Sequence, residues 1–258
     1  MSPLTKAVIE RDVLANELAR SMGKNAIVEL SSLMHEANSA TRAFIVNATL
    51  YIELAISHEL VFKALDDEDI NVVHTALTVI EQQHASVSTA LLIGLLDKLE
   101  NPDTKNRIIL LLGQRLKLNE TTPLEKYCNV NQPQSVALHS MTALAKIGVE
   151  QRRKQFSAYL LSIKSNAKAF NEMVTFIEYI NQAWLVPSLK LQLNNKEEVQ
   201  FLSTQLLGYP SAIRVCDKAV RLIAMLLKTE FSFKTHRHIN FTDEQLAEVN
   251  LIASNYQY

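Results

Sequence analysis

A hydrophobic layout returns along this chain at nearly constant intervals. Six segments share it, starting at Ala40, Val72, Thr104, Val136, Ala169 and Val199, with successive starts 32, 32, 32, 33 and 30 residues apart. In each, the first residue and those four, five and eight further on fall on one side of a helix. Twenty of these 24 positions are hydrophobic, in a chain that is 48% hydrophobic overall. One apolar helix face is therefore expected six times over. A helix carrying such a face cannot bury it alone, so neighbouring units must stack to share a core.

Between the starts lies a second helical pattern, in HELVFKALDDED, SVSTALLIGLLDKLENPD, EQRRKQFSAYLLSIKSN and AWLVPSLKLQLNN. Each unit then reads as a helical hairpin. Asn38, Asp69, Asn101, Asn166 and Asn195 stand two to four residues before a start, where a short polar side chain closes an Asx turn or accepts from the first free N–H groups of the next helix. Asn131 and Pro133 occupy the remaining turn. Only five glycines occur in 258 residues, which disfavours sheet-rich folds.

The segment SVALHSMTALAKIG at 135–148 has Val, small residues, Ala-Leu and a closing Ile-Gly, with Gly148 placed as a left-handed helix end. RVCDKAVRLIAMLL at 214–227 is followed by FTDEQLAEV at 241–249. On these motifs, residues 25 to 228 resemble the HEAT-like, armadillo-related repeat family, and the C-terminal part resembles small bacterial HEAT-repeat proteins. The resemblance implies a single all-α domain over 1–258, a right-handed α-solenoid of about six antiparallel helix pairs. Its parts would be an N-terminal capping helix in 1–24, six pairs in 25–210 and a C-terminal cap in 211–258. Leu4 to Arg20 and Thr242 to Ala253 are read as the closing helices. Thr242 has Gln245 three residues on and Phe241 before it, a full helix-start signal. A shorter one places Thr122 as N-cap, Pro123 as first helical residue and Glu125 as returning acceptor.

Charge is divided unevenly. Residues 1–129 hold 12 Lys and Arg against 17 Asp and Glu, a net of −5, while 130–258 hold 14 against 10, a net of +4. The total of −1 gives no global argument for nucleic acid. No run approaches the roughly 18 apolar residues of a membrane span, and MSPLTKAVIERDVL lacks a secretory core. A soluble cytoplasmic protein with no membrane partner is expected.

Chemistry-bearing motifs are scarce. There is no glycine-rich phosphate loop, no Gly-x-Ser-x-Gly and no His-Glu-x-x-His, so no cofactor, no metal and no catalytic residue is expected. His236 and His238 supply two ligands without a third and sit beside Lys234 and Arg237. The run DDED at 66–69 lacks the glycine and distant Glu of a calcium loop and reads as an acidic helix start. In SAIRVCDKAVRLIAMLLK, read as one helix over 211–228, Cys216 shares an apolar stripe with Ile213, Ala219, Val220, Ile223 and Leu227. Arg214, Asp217, Lys218 and Arg221 fall on the other side, with Asp217 and Arg221 paired one turn apart. An inert core thiol is expected.

Offsets of three, six and ten residues from each start point away from the core, and in the HEAT-like family the second helices line the concave side. The central rungs of that strip are Arg107, Gln114, His139, Lys146, Glu172 and Tyr179, a mixture of hydrogen-bonding and aromatic groups of the kind found at protein interfaces. The expected function is a noncatalytic scaffold that binds another protein there, as an adaptor, inhibitor or immunity-type protein. The alternative is a HEAT-like DNA glycosylase or other nucleic-acid-binding protein, for which Trp184 and the basic QRRKQF at 151–156 are the candidates. Trp184 is read as packed between repeats and the basic run as a solvated helix face.

Overall fold

The computed structural model describes residues 1–83, 88–201, 212–236 and 239–256. The described chain is all-α apart from two short strands, and it divides into two compact units, Met1–Ser140 and Met141–Tyr258. The division coincides with the change in charge: residues 130–140 carry no Asp, Glu, Lys or Arg, so the first unit is net −5 and the second net +4.

In the first unit the helices are α1 (Pro3–Glu10), α2 (Leu14–Met22), α3 (Lys24–Met34), α4 (Ser39–Ala48), α5 (Leu54–Lys63), α6 (Ile70–Gln82), α7 (Thr89–Lys98), α8 (Pro102–Arg115) and the short α9 (Thr122–Glu125). The chain passes into the second unit within α10 (Gln134–Ile147). Hairpin partners pack on each other, α3 on α4, α5 on α6 and α7 on α8; successive hairpins meet through α4 on α6, α6 on α8 and α3 on α5.

The periodic face is the core. Five starts lie in helices and give 20 positions, of which 16 are buried; Phe44, Met141 and Ala169 are half-buried and Ala40 is exposed. Ile45, Leu77, Ile80, Ile108, Ile109, Leu112, Leu144 and Ile177 on this face are fully buried. Truncating one to alanine should cost about 2–5 kcal/mol.

The turns use the residues expected of them. Asn38 accepts from Thr41 N at 3.0 Å, Asp69 from Asn71 N at 2.9 Å, Asn101 from Asp103 N at 2.8 Å and Asn166 from Ala169 N at 2.9 Å. Each satisfies a backbone donor that a helix start leaves unpaired. Asn195 closes an Asx turn with Glu197 N at 3.0 Å. Gly148 ends α10 with φ 113, where a Cβ is strained.

Polar ties lock one hairpin to the next. Arg42 on α4 donates twice to Asp67, at 2.8 Å each, and the Gln83 amide reaches the carbonyls of Leu50 at 2.7 Å and Ile52 at 3.1 Å.

The second unit contains α11 (Glu150–Ser162), α12 (Ala167–Ile180), α13 (Val186–Lys190), α14 (Val215–Leu227) and α15 (Asp243–Asn255). Strand β1 (Glu198–Phe201) pairs antiparallel with β2 (Ala212–Arg214). Helix α14 packs on α12, α13 and α15.

Four expectations need correction. The N-terminal closing helix is broken, because Arg11 adopts φ 54 and Asp12 N turns back to Ala7 O at 2.8 Å. Thr122 lies inside α9; its N-cap is Thr121, which makes no side-chain capping bond. Val199 stands in β1 and starts no helix, since its segment pairs with β2, while Asn195 O and Glu197 O receive Cys216 N and Val215 N at 2.9 Å each. The rest of that sixth pattern, Leu202 to Tyr209, lies outside the described residues. Finally, 212–214 is strand, so α14 begins only at Val215, and Asp217 pairs backward with Arg214. Asp217 and Lys218 are buried, because α14 is covered on several sides. At the C-terminus Thr242 and Gln245 form the expected capping box and α15 follows.

Candidate functional site

From the five helical starts, offsets three, six and ten give 15 described positions, and solvent reaches all except Val46 and Thr142, which are buried. Val46 is enclosed because α1 and α2 also pack on α4. Leu202, Gln205 and Tyr209, the outermost rung, lie outside the described residues.

In the first unit, Arg107 turns its guanidinium onto Glu81 of α6, with Nε donating at 2.7 Å and Nη2 at 2.5 Å. That fork uses the bidentate geometry that would otherwise recognise a partner carboxylate or phosphate. Gln114, two turns further along α8, is exposed. His139 is half-buried, and its Nδ1 lies 2.7 Å from Ser135 O, so Nδ1 donates and carries the proton. Burial pushes its pKa below the ordinary histidine value, against the opposing effects of Ser135 O and Asp103.

In the second unit, Lys146 and Tyr179 come together. The Lys146 ammonium lies 4.7 Å from the centre of the Tyr179 ring and donates to Tyr179 O at 2.6 Å and Ile180 O at 3.4 Å, so it caps the C-terminal end of α12. Burial lowers the Lys146 pKa and raises that of the Tyr179 phenol. Gln182 completes the knot: its amide donates to Lys146 O at 2.6 Å, and its oxygen accepts from Arg153 and from Trp184 Nε1, each at 2.8 Å. Glu172 is exposed on α12, apart from this knot.

Trp184 is enclosed at 7% exposure, edge-on to Phe156 at 6.2 Å and beneath the Arg153 guanidinium at 5.7 Å. Within 151–156, Arg152 donates to Gln155, Arg153 points to the knot and Lys154 pairs with Glu150. Cys216 is buried, and burial pushes its thiol up to about 11. In DDED, Asp67 is held by Arg42 and accepts from Asp69 N, Asp69 caps α6, and Asp66 and Glu68 face solvent. His238 lies outside the described residues. Among the described residues no three His, Cys, Asp or Glu side chains are grouped so as to hold a metal ion, and no helix is long and apolar enough to cross a membrane.

Residue pattern missed Glu81 and Gln182 and read Arg153 only as part of a solvated basic face; these three decide how Arg107, Lys146 and Trp184 are used. Opposite charge 26 residues apart was the available signal for Glu81 and Arg107; nothing local marks Gln182.

No protein-family model matches the chain, and no curated protein or solved structure is detectably similar to it.

Proposed function

We propose that this chain is a noncatalytic scaffold that binds another protein, built as a right-handed α-solenoid of HEAT-like helix pairs, with an inhibitor or immunity-type role as one form of that activity. The observation that carries this reading is the regular split on five successive second helices, where 16 of 20 inward positions are buried and 13 of 15 outward positions meet solvent. Paired helices with one committed face and one open face suit side-on docking of a partner. Within the strip, Arg107, Lys146 and Tyr179 serve the scaffold, and Gln114 and Glu172 are the outward residues through which a partner is felt. The nucleic-acid alternative draws little support from an enclosed Trp184 and an Arg107 already paired with Glu81.

Affinity capture from the source cells with the wild type, Gln114→Lys and Glu172→Lys tests the docking surface. Loss of one captured protein by either folded variant is the expected result; undiminished capture by both refutes it. Labelled duplex DNA provides the counter-test, since tight binding with a steep salt slope would replace the protein partner by nucleic acid. The solenoid itself predicts a radius of gyration clearly above the ~18 Å of a compact globule of 258 residues, measurable by solution scattering.

A further inference from the structure

Within the first unit, the turns that lead into α6 and α8 stand on either side of an open cleft of about 400 Å3. They are equivalent in the period, 66–69 corresponding to 98–101. Buried Leu65, Val73 and Leu99 line its floor together with buried Thr104. Ile70 stands at the lip with 46% of its surface exposed. Around it lie the exposed carboxylates of Asp66, Glu68 and Glu100, opposed by Lys98. Asp67 adds no open charge, since Arg42 holds it at 2.8 Å; Glu68 reaches the same guanidinium only at 3.4 Å and stays 89% exposed.

A hollow with aliphatic side chains in its floor and an acidic rim, in a unit of net charge −5, suits positive charge carried beside hydrocarbon. A bare metal ion is not the match, because these carboxylates do not converge in threes. We propose that the cleft docks a protein segment presenting one or two aliphatic side chains flanked by Lys or Arg. The aliphatic group covers Ile70 and reaches the Leu65, Val73 and Leu99 floor, while the flanking cations face Glu68 and Glu100. Apolar contact then fixes the register, and the opposed charges supply selectivity and association rate. None of the lining residues belongs to the outward columns, so this surface goes beyond the function proposed above.

The test is fluorescence anisotropy with a labelled peptide carrying Lys-Arg on each side of Ile-Leu, at low and moderate salt. Saturable binding is expected. It should weaken about tenfold or more in Glu68→Lys/Glu100→Lys, and by a similar factor when Ser-Ser replaces Ile-Leu in the peptide, with a smaller loss in Ile70→Ser. Gln114→Lys should bind as the wild type does, which separates this surface from the strip. Circular dichroism melting confirms that each variant is folded. Absence of saturable binding, equal binding by the charge-reversed variant, or equal binding of the serine peptide (adsorption of a polycation) would each overturn the proposal.

Discussion

Replacing Asp217 by alanine should be among the most damaging single changes in the second unit. The carboxylate is 1% exposed and receives four N–H hydrogen bonds: Arg214 N at 3.1 Å, Arg214 Nε and Nη2 at 2.8 Å each, and Phe241 N at 2.9 Å. Arg214 also donates to Phe241 O at 2.8 Å, so the pair fastens the start of α14 to the chain just before α15. Each bond to a charged group is worth about 1.5–3 kcal/mol net. They are not additive, and breaking a buried pair from one side costs about 3–5 kcal/mol. Out of the 5–15 kcal/mol typical of a whole domain, that is a large share. The assay is urea unfolding of the wild type, Asp217→Ala, Arg214→Ala and the double variant. Once the carboxylate is gone, the guanidinium is left part-buried without its counter-charge, so removing it as well should add little further loss. A single Asp217→Ala cost below about 1 kcal/mol, or a double variant whose loss equals the sum of the singles, would refute the reasoning.

Three other outcomes are expected. The Asp67 carboxyl is held below its ordinary pKa, first by the Arg42 guanidinium; its contribution is therefore complete above the unfolded carboxylate pKa of about 4 and is lost as pH falls below it. Urea midpoints across that range should fall less steeply in Arg42→Met. Because Cys216 is buried with its thiol near 11, a thiol reagent at mildly alkaline pH should modify half-buried Cys128 first and Cys216 only on unfolding. Gly148→Ala should lower stability by about 1 kcal/mol, through φ 113 rather than crowding, since the new Cβ would lie 3.5 Å from the nearest Arg153 atom; a neutral result in thermal unfolding would contradict this.

The helical character and the inward apolar faces were legible in the sequence because burial imposes the same requirement on each of these helices. An inward face must be apolar wherever one hairpin meets the next, and an Asx residue at a helix start acts through its own backbone, needing no distant partner. The sixth pattern carried its own warning: Ser203 and Thr204 occupied two of its four inward offsets, and its first residue proved to be in a strand. Asp217 was misplaced for a different reason. A helical wheel assigns one side to solvent, whereas α14 has neighbours on several sides, so a polar residue there is enclosed and must find a partner.

The candidate strip was legible in direction but not in use. Which way a side chain points follows from its spacing; what it meets depends on the neighbouring hairpin. Lys146 caps the end of α12, Gln83 donates to carbonyls of the turn that follows α4, and Glu81 near the end of α6 holds Arg107. Helix ends expose carbonyls that need donors, and in stacked hairpins the nearest donors are side chains about one period away. Lys146, in the last turn of α10, is claimed in this way before any partner arrives. Gln114 is in such a turn yet exposed, and Glu172 lies near the middle of its helix. Substitution at these two should alter binding with stability within about 0.5 kcal/mol of wild type, whereas Arg107→Ala or Lys146→Ala should lower stability first and binding only as a consequence.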